Sequence, residues 1–182
     1  MAESPTLPSL VQRFFTQHLC EHKNVSPRTI TAYRDAFRLF FLFLQEKTGR
    51  SPSDLQIADL DEQAVLAFLD HLESARDNQP RSRNLRLSAI RAFYRFVSIR
   101  DPAHVAIASR VLSIPAKRTS RPMMTYLTRA EIESVLAVPD RKTWLGSRDH
   151  ALLLTMYNTG ARASEITGLL CGQVRFATPT LI

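Results

Sequence analysis

The sequence predicts a mainly α-helical protein that opens with a bundle of four to five helices. Apolar residues recur at the helical period over four long segments, which cover residues 8–23, 26–47, 61–75 and 82–100. A shorter helix is expected over 102–111, after an Asp-Pro pair. Four long helices with apolar faces of this kind can bury one another in a single small core.

Capping residues predict where several of these helices begin and end. Ser26 followed by Pro27 is typical of an N-cap and a first helical position, and Gly49 is the expected stop. Asp61 and Ser82 are the expected starts of the next two long helices. The helix boundaries therefore follow from local chemistry as well as from periodicity.

Residues 114–127 interrupt the helical pattern and predict an extended linker between two domains. Pro115 and Pro122 bracket three basic residues in this segment. The second domain would begin at Thr128, because Glu131 three residues later completes a capping box. The predicted division is a helical domain over 1–113, the basic linker over 114–127 and a second domain over 128–182.

The second domain is predicted to be helical at first and incomplete at its end. Helices are expected over about 129–137 and 147–158, with a short one after Arg162. Residues 171–176 turn towards alternation and could open a strand. Since no later segment pairs with that strand, we expect the domain to be cut short.

The composition excludes several classes of protein. The chain has 182 residues, a formal net charge of +7 and 45% hydrophobic residues, enough for a packed core. It contains no apolar run of membrane-spanning length and no secretory signal pattern. Cys20 and Cys171 lie far apart, and no glycine-rich phosphate loop is present. We therefore expect a cytoplasmic globular protein with no disulfide framework, no metal and no cofactor.

Positive charge is concentrated in one block of the sequence. Residues 76–121 contain eleven lysines and arginines and two acids, a net charge of +9, whereas the remainder sums to −2. Ten of the eleven are arginines, which favour two-pronged contacts with phosphate or guanine. The block predicts a polyanionic partner. A solvated helix face with a basic linker is the alternative reading.

A helix–turn–helix corner near the end of the chain is a candidate phosphate site. The apolar helix over 151–156 runs into Thr159 and Gly160, and Arg162 precedes a second helix. Glycine ends a helix in the left-handed conformation, and the next helix offers free N–H groups and a positive dipole end. Arg162 could therefore hold a phosphate, although an ordinary surface arginine is the alternative.

Four segments have counterparts, in the same order and at similar spacing, in one protein family. Residues 148–154 and 157–166 form the first, which reads Arg-Asp-His-Ala-Leu-Leu-Leu and then Tyr-Asn-Thr-Gly-Ala-Arg-Ala-Ser-Glu-Ile. The other three are residues 25–33, 91–96 and 128–132. Together they resemble motifs of the tyrosine recombinase (phage integrase) family, Xer-type site-specific recombinases included.

The resemblance implies a SAM-like core-binding domain followed by the helical start of a truncated integrase-type catalytic domain. In the complete protein, such domains break and rejoin DNA strands through a phosphotyrosine intermediate. Arg162 would be the first of two phosphate-binding arginines, and Glu165 would brace it from the same helix. The family's His-x-x-Arg box and late tyrosine have no counterpart here. We therefore expect this chain to bind DNA without cutting it.

The resemblance also implies the partners and the DNA-binding residues. Double-stranded DNA is the expected partner, with a tetramer on two duplexes for the complete protein and a monomer for this chain. On a helical projection, Ser88, Arg91 and Arg95 share one side, which would face the duplex. The predicted DNA-binding residues are Arg28, Arg81, Arg83, Arg86, Arg91, Arg95, Lys117, Arg118 and Arg121, with Arg34 as a further candidate.

Other readings of the sequence remain open. The chain could be a DNA-binding regulator without catalysis, or a natural truncation that occupies sites. It could also be a helical adaptor whose basic face binds acidic proteins. His18 and His22 match a His-x-x-Glu-His zinc pattern, but no third ligand is evident. Trp144 is expected to be a packing residue.

Overall fold

The computed structural model describes residues 5–120 and 125–174. The chain divides into two compact units, Met1–Arg121 and Pro122–Ile182. The predicted mainly α fold class is confirmed, because the described residues form helices, turns and connecting segments, with no β-strand among them.

The first unit is a helical bundle. A π-helical stretch, Phe14–His22, continues its first α-helix, and short 3-10 turns at Pro52–Asp54, Ile57–Leu60 and Pro102–His104 connect later helices. The α-helices are α1 (Leu7–Arg13), α2 (Pro27–Thr48), α3 (Glu62–Ser74), α4 (Pro80–Arg100) and α5 (Val105–Ser113).

Most of the predicted helix boundaries are present in the bundle. Ser26 caps α2 by accepting from the Thr29 N–H, and Gly49 ends α2 with φ +69°. Asp61 caps α3 in the same way. The predicted start of α4 at Ser82 is wrong by two residues. The helix begins at Pro80, because the fixed φ of proline suits the first helical turn and its missing N–H would have no intrahelical partner there.

Aromatic side chains form the centre of the bundle core. The rings of Phe14 and Phe37 lie 5.5 Å and 5.3 Å from that of Phe93, both in edge-to-face geometry. Tyr94 is fully buried and donates its hydroxyl to the carbonyl oxygen of Leu60. The core therefore joins α1 and its π-helical continuation, α2, α4 and the loop before α3.

The second unit contains three α-helices in its described part: α6 (Arg129–Ala137), α7 (Trp144–Thr159) and α8 (Ala163–Thr167). The predicted capping box is present, with Thr128 Oγ1 accepting from the Glu131 N–H and Glu131 Oε2 accepting from the Thr128 N–H.

Two expectations for the second unit differ from the structure. Cys171–Gln173 forms a 3-10 turn instead of the start of a strand, since Gly172 is a poor strand former and the alternation over 171–176 is too short to define a strand period. Arg175 and Phe176, the rest of that predicted strand, lie outside the described residues. Trp144 is 75% exposed instead of packed, and the Arg148 guanidinium lies 5.5 Å from its ring centre.

Among the described helices, none combines the length and the apolar character that crossing a membrane requires.

Candidate nucleic-acid interface

Helix α4 presents an exposed basic stripe. Arg81, Ser88 and Arg95 are exposed and recur every seven residues, so they lie on one face of the helix. Leu85 and Ile99 are exposed on the same face, at 54% and 78%. We call Arg81, Ser88 and Arg95 the α4 stripe. Arg81 and Arg95 are fourteen residues apart, so their backbone positions are separated by about 21 Å along the helix axis.

Arg83 lies in the interior of the bundle and departs from the DNA-binding prediction. It is only 4% exposed, and its Nε lies 3.5 Å from Glu73 Oε2 at the end of α3. The distance defines an ion pair, but Arg83 Nε makes no hydrogen bond. A buried, paired guanidinium cannot reach a phosphate, so the structure assigns Arg83 to the packing of α3 against α4.

Arg86 and Arg91 are also turned towards the protein. Both are partly buried, and Arg86 Nη1 donates to the Ser82 carbonyl at 3.1 Å. Arg91 Nη2 donates to the Ile114 carbonyl, at the start of the predicted linker. Arg91 is therefore less exposed than Ser88 and Arg95, because the first residue of the predicted linker, Ile114, lies against its side of the helix.

The remaining predicted DNA-binding residues occupy different environments. Arg28 and Arg34 are exposed on α2, and Arg118 is exposed after α5. The Lys117 side chain is half-exposed, and its Nζ lies 2.6 Å from Glu73 Oε2. Arg121 lies outside the described residues.

Asn84 is a structural residue that the sequence pattern did not single out. Its Nδ2 donates to the Lys117 carbonyl at 2.7 Å, and its Oδ1 accepts from the Lys117 N–H at 3.0 Å. The two residues are separated by 33 positions, so no local pattern could have paired them. The polar character of Asn84 within a mostly arginine-and-apolar helix was the one available signal.

The junction between α7 and α8 has the predicted backbone geometry. Gly160 adopts φ +66° and ends α7 with its N–H bonded to the Met156 carbonyl at 2.9 Å. Arg162 is the N-cap of α8, and its side chain is 81% exposed. The bend therefore presents Arg162 to solvent at the N-terminal end of a helix.

Glu165 binds Arg162 through both carboxylate oxygens. The Arg162 backbone N–H donates to Oε2 at 2.8 Å, and Arg162 Nη1 donates to Oε1 at 2.9 Å. The hydrogen bond from the backbone N–H, followed by that from the guanidinium, lowers the pKa of Glu165 below its usual value. Glu165 thus fixes the orientation of an exposed guanidinium.

The zinc alternative has no support from the geometry of the described residues. Between 5–120 and 125–174, no three histidine, cysteine or acidic side chains converge as metal ligands would. His18 instead stacks on Phe14, with ring centres 5.8 Å apart, and lies 5.2 Å from Phe96.

The fold and the basic surface together define a helical, arginine-rich domain joined to a second helical unit. Residues 12–100 match the family described as "Phage integrase, N-terminal SAM-like domain". The chain belongs to the phage integrase (tyrosine recombinase) family, as the four sequence motifs predict.

Relatives named as recombinases match nearly the whole chain. A candidate integrase/recombinase of Sinorhizobium fredii strain NGR234, y4rC, is 44% identical over 178 residues, which are 98% of this chain and 54% of that protein. A second one from the same strain, y4rD, is 40% identical over 93% of this chain and 60% of its own length. Tyrosine recombinase XerC of Oceanobacillus iheyensis is 32% identical over 92% of this chain and 52% of its own.

The chain spans about half the length of these relatives. No solved structure matches it.

Proposed function

We propose that this chain provides the DNA-grasping part of a site-specific tyrosine recombinase and binds double-stranded DNA through the α4 stripe. The observation that carries the proposal is the exposure of Arg81 and Arg95 on one helix face in a domain of the integrase family. Exposed arginines can contact phosphate oxygens of the duplex. The Ser88 hydroxyl between them donates to the Asn84 carbonyl at 2.9 Å and keeps its lone pairs towards solvent. Arg28, Arg34 and Arg118 are additional exposed contributors.

The proposed interface is smaller than the sequence block of positive charge. Arg83, Arg86, Arg91 and Lys117 each contact a protein carboxylate or carbonyl oxygen. Their contribution to DNA binding is therefore indirect, through the shape of the bundle. The slope of log affinity against log salt concentration then reports how many exposed arginines contact phosphates. Each neutralised phosphate contributes about 0.9 to the magnitude of that slope.

Arg162 is proposed to bind the phosphate at which a DNA strand is cut. Strand cleavage concentrates negative charge on the non-bridging phosphate oxygens, and a preorganised cation stabilises that charge. Glu165 holds the guanidinium in place before the substrate arrives, while most of the Arg162 side chain remains accessible. Glu165 itself would repel a phosphate, so its role is to position Arg162.

We further propose that no tyrosine of this chain is the nucleophile. Burial and the charge of Asp61 raise the pKa of Tyr94, which also donates to a backbone carbonyl. Tyr33 is partly buried. Tyr126, which lies in the predicted linker, and Tyr157 are exposed, at 82% and 52%. Tyr157 lies five residues before Arg162 in the sequence motif. At that position of the motif the family has a tyrosine that is not catalytic.

A trapping experiment with nicked duplex DNA tests this proposal. The chain is incubated with a labelled nicked duplex, and binding and covalent capture are measured on native and denaturing gels. The expected result is a native complex that dissociates under denaturing conditions. A covalent adduct would contradict the absence of a nucleophile, and a lack of any native complex would contradict DNA binding.

The assembly and compartment are proposed from the same family relationship. We propose that the isolated chain is a monomer, that a longer recombinase would form a tetramer on two duplexes, and that it acts in the cytoplasm. Light scattering of the chain alone measures the first of these directly. A stable dimer or tetramer without DNA would contradict it.

A further inference from the structure

The start of the linker is fastened to the bundle by three side chains. Asn84 holds the backbone of Lys117, Glu73 holds its ammonium group, and Arg91 holds the carbonyl of Ile114. We propose that Glu73, Asn84 and Arg91 form a linker latch, which holds residues 114–117 of the predicted linker on the bundle. This inference goes beyond DNA binding and does not depend on it.

The contact made by Asn84 is specific for an extended backbone. Its amide both donates to the carbonyl oxygen and accepts from the N–H of one residue, Lys117, as a neighbouring strand would. Two hydrogen bonds to the N–H and the C=O of one residue fix the orientation of that backbone as well as its distance. A helix side chain that is only partly exposed can maintain this geometry without much loss of entropy.

The ion pairs beneath this contact provide the second part of the latch. Glu73 Oε2 lies 2.6 Å from Lys117 Nζ and 3.5 Å from Arg83 Nε. Since the Glu73 side chain is 21% exposed and that of Arg83 is 5% exposed, this carboxylate is shared between a buried and a surface cation. Arg83 approaches Glu73 from inside the bundle and leaves lone pairs of the carboxylate free on the solvent side. Lys117 binds the carboxylate there.

The third contact fixes the linker at Ile114, three residues before Lys117. Arg91 lies seven residues after Asn84 on α4, and its Nη2 donates to the carbonyl of Ile114, which is itself 1% exposed. The linker segment 114–117 is therefore held at both of its ends along α4. Only about ten residues, 118–127, then remain of the fourteen predicted as linker.

The latch therefore sets the residue at which the chain leaves the bundle: Lys117 instead of Ile114.

Amide hydrogen exchange of the 182-residue chain, measured by NMR, tests the latch. In the wild type, the Lys117 amide should exchange more slowly than an unstructured peptide amide, because Asn84 Oδ1 accepts its proton. Asn84→Ala should accelerate exchange at Lys117 about tenfold or more, while the amide of Val97 in the core of α4 keeps its rate. Ser88→Ala, one turn later on the same helix, is the matched control and should change neither rate.

Three results would overturn the proposal. The first is exchange of the wild-type Lys117 amide at the unstructured rate. The second is unchanged exchange at Lys117 in Asn84→Ala. The third is equal acceleration at Lys117 and Val97, which would show general destabilisation of the bundle instead of release of the linker. A failure of DNA binding leaves all three readings unaffected, so the two proposals are tested separately.

Discussion

Arg162 and Glu165 form a closed pair at the start of α8, in which one carboxylate accepts from both the backbone and the side chain of the arginine. The two distances, 2.8 Å and 2.9 Å, are those of strong charge-assisted hydrogen bonds. The pair makes the helix cap and the proposed phosphate ligand a single unit. Disturbing the cap should therefore also disturb the guanidinium.

The first prediction concerns the pH dependence of this cap. The folded state lowers the pKa of Glu165 below 4.5, so the stabilisation is present above that pH and is lost as pH falls through the lower folded-state value. The NMR shift of the Arg162 amide should therefore titrate with a midpoint below 4.5. Glu165→Gln should remove that transition, and a wild-type midpoint at or above 4.5 would contradict the observed pairing.

The second prediction concerns the bend before Arg162. Gly160 has φ +66° and no atom within 4 Å of the position of a Cβ, so a substitution would be penalised by backbone conformation alone. Gly160→Ala should lower the free energy of unfolding by about 1–2 kcal/mol, and Gly160→Asn by less. Chemical denaturation followed by fluorescence of Trp144, the single tryptophan, measures both. Equal costs for the two variants would argue against the left-handed geometry.

The third prediction concerns the buried ion pair of the bundle. Glu73→Ala leaves the Arg83 charge buried without a partner and should cost about 3–5 kcal/mol. Arg83→Met should cost less, because Glu73 is partly exposed and keeps Lys117 at 2.6 Å. Chemical denaturation monitored by circular dichroism gives both values. The reverse order would contradict the assignment of Arg83 to the interior.

The fourth prediction concerns His18. Burial, followed by the charges of Lys23, His22 and Arg100, lowers its pKa from 6.5. Protonation therefore opposes folding, and the free energy of unfolding should decrease as pH falls below about 6.5. His18→Phe keeps an aromatic ring against Phe14 and should weaken this dependence. A His22→Gln variant removes one of the smaller causes and should retain most of the dependence, because burial is the largest cause. The same pH profile in both variants would exclude His18 as the cause.

Local chemistry made much of the fold predictable. The helix ends at Gly49 and Gly160 and the capping box at Thr128 depend on residues within four positions of each other, so the sequence pattern predicted them. The course of α4 was also predictable, because its buried apolar residues repeat at the helical period. Family resemblance added the position of Arg162 within a recognised motif.

Contacts distant in the sequence limited the prediction of the DNA interface. Arg83, Arg91 and Arg95 look equivalent in a list of basic residues, yet their surroundings are respectively a carboxylate of α3, the linker backbone and solvent. Charge and periodicity give the side of a helix but not the neighbour that covers it. For the same reason, the sequence predicted one linker over 114–127, whereas its first four residues are fastened to the bundle.

The salt dependence of duplex binding tests the central claim most directly. The affinity of wild type, Arg81→Ala/Arg95→Ala and Lys23→Ala/Lys47→Ala is measured by fluorescence anisotropy over a series of salt concentrations. Both double variants lose two charges from exposed positions of the bundle, but only the first pair lies on the α4 stripe. We predict that the Arg81/Arg95 variant loses about 1.8 from the magnitude of the salt slope, and that the Lys23/Lys47 variant keeps the wild-type slope. Equal slopes in the two variants would contradict DNA binding through this face of α4.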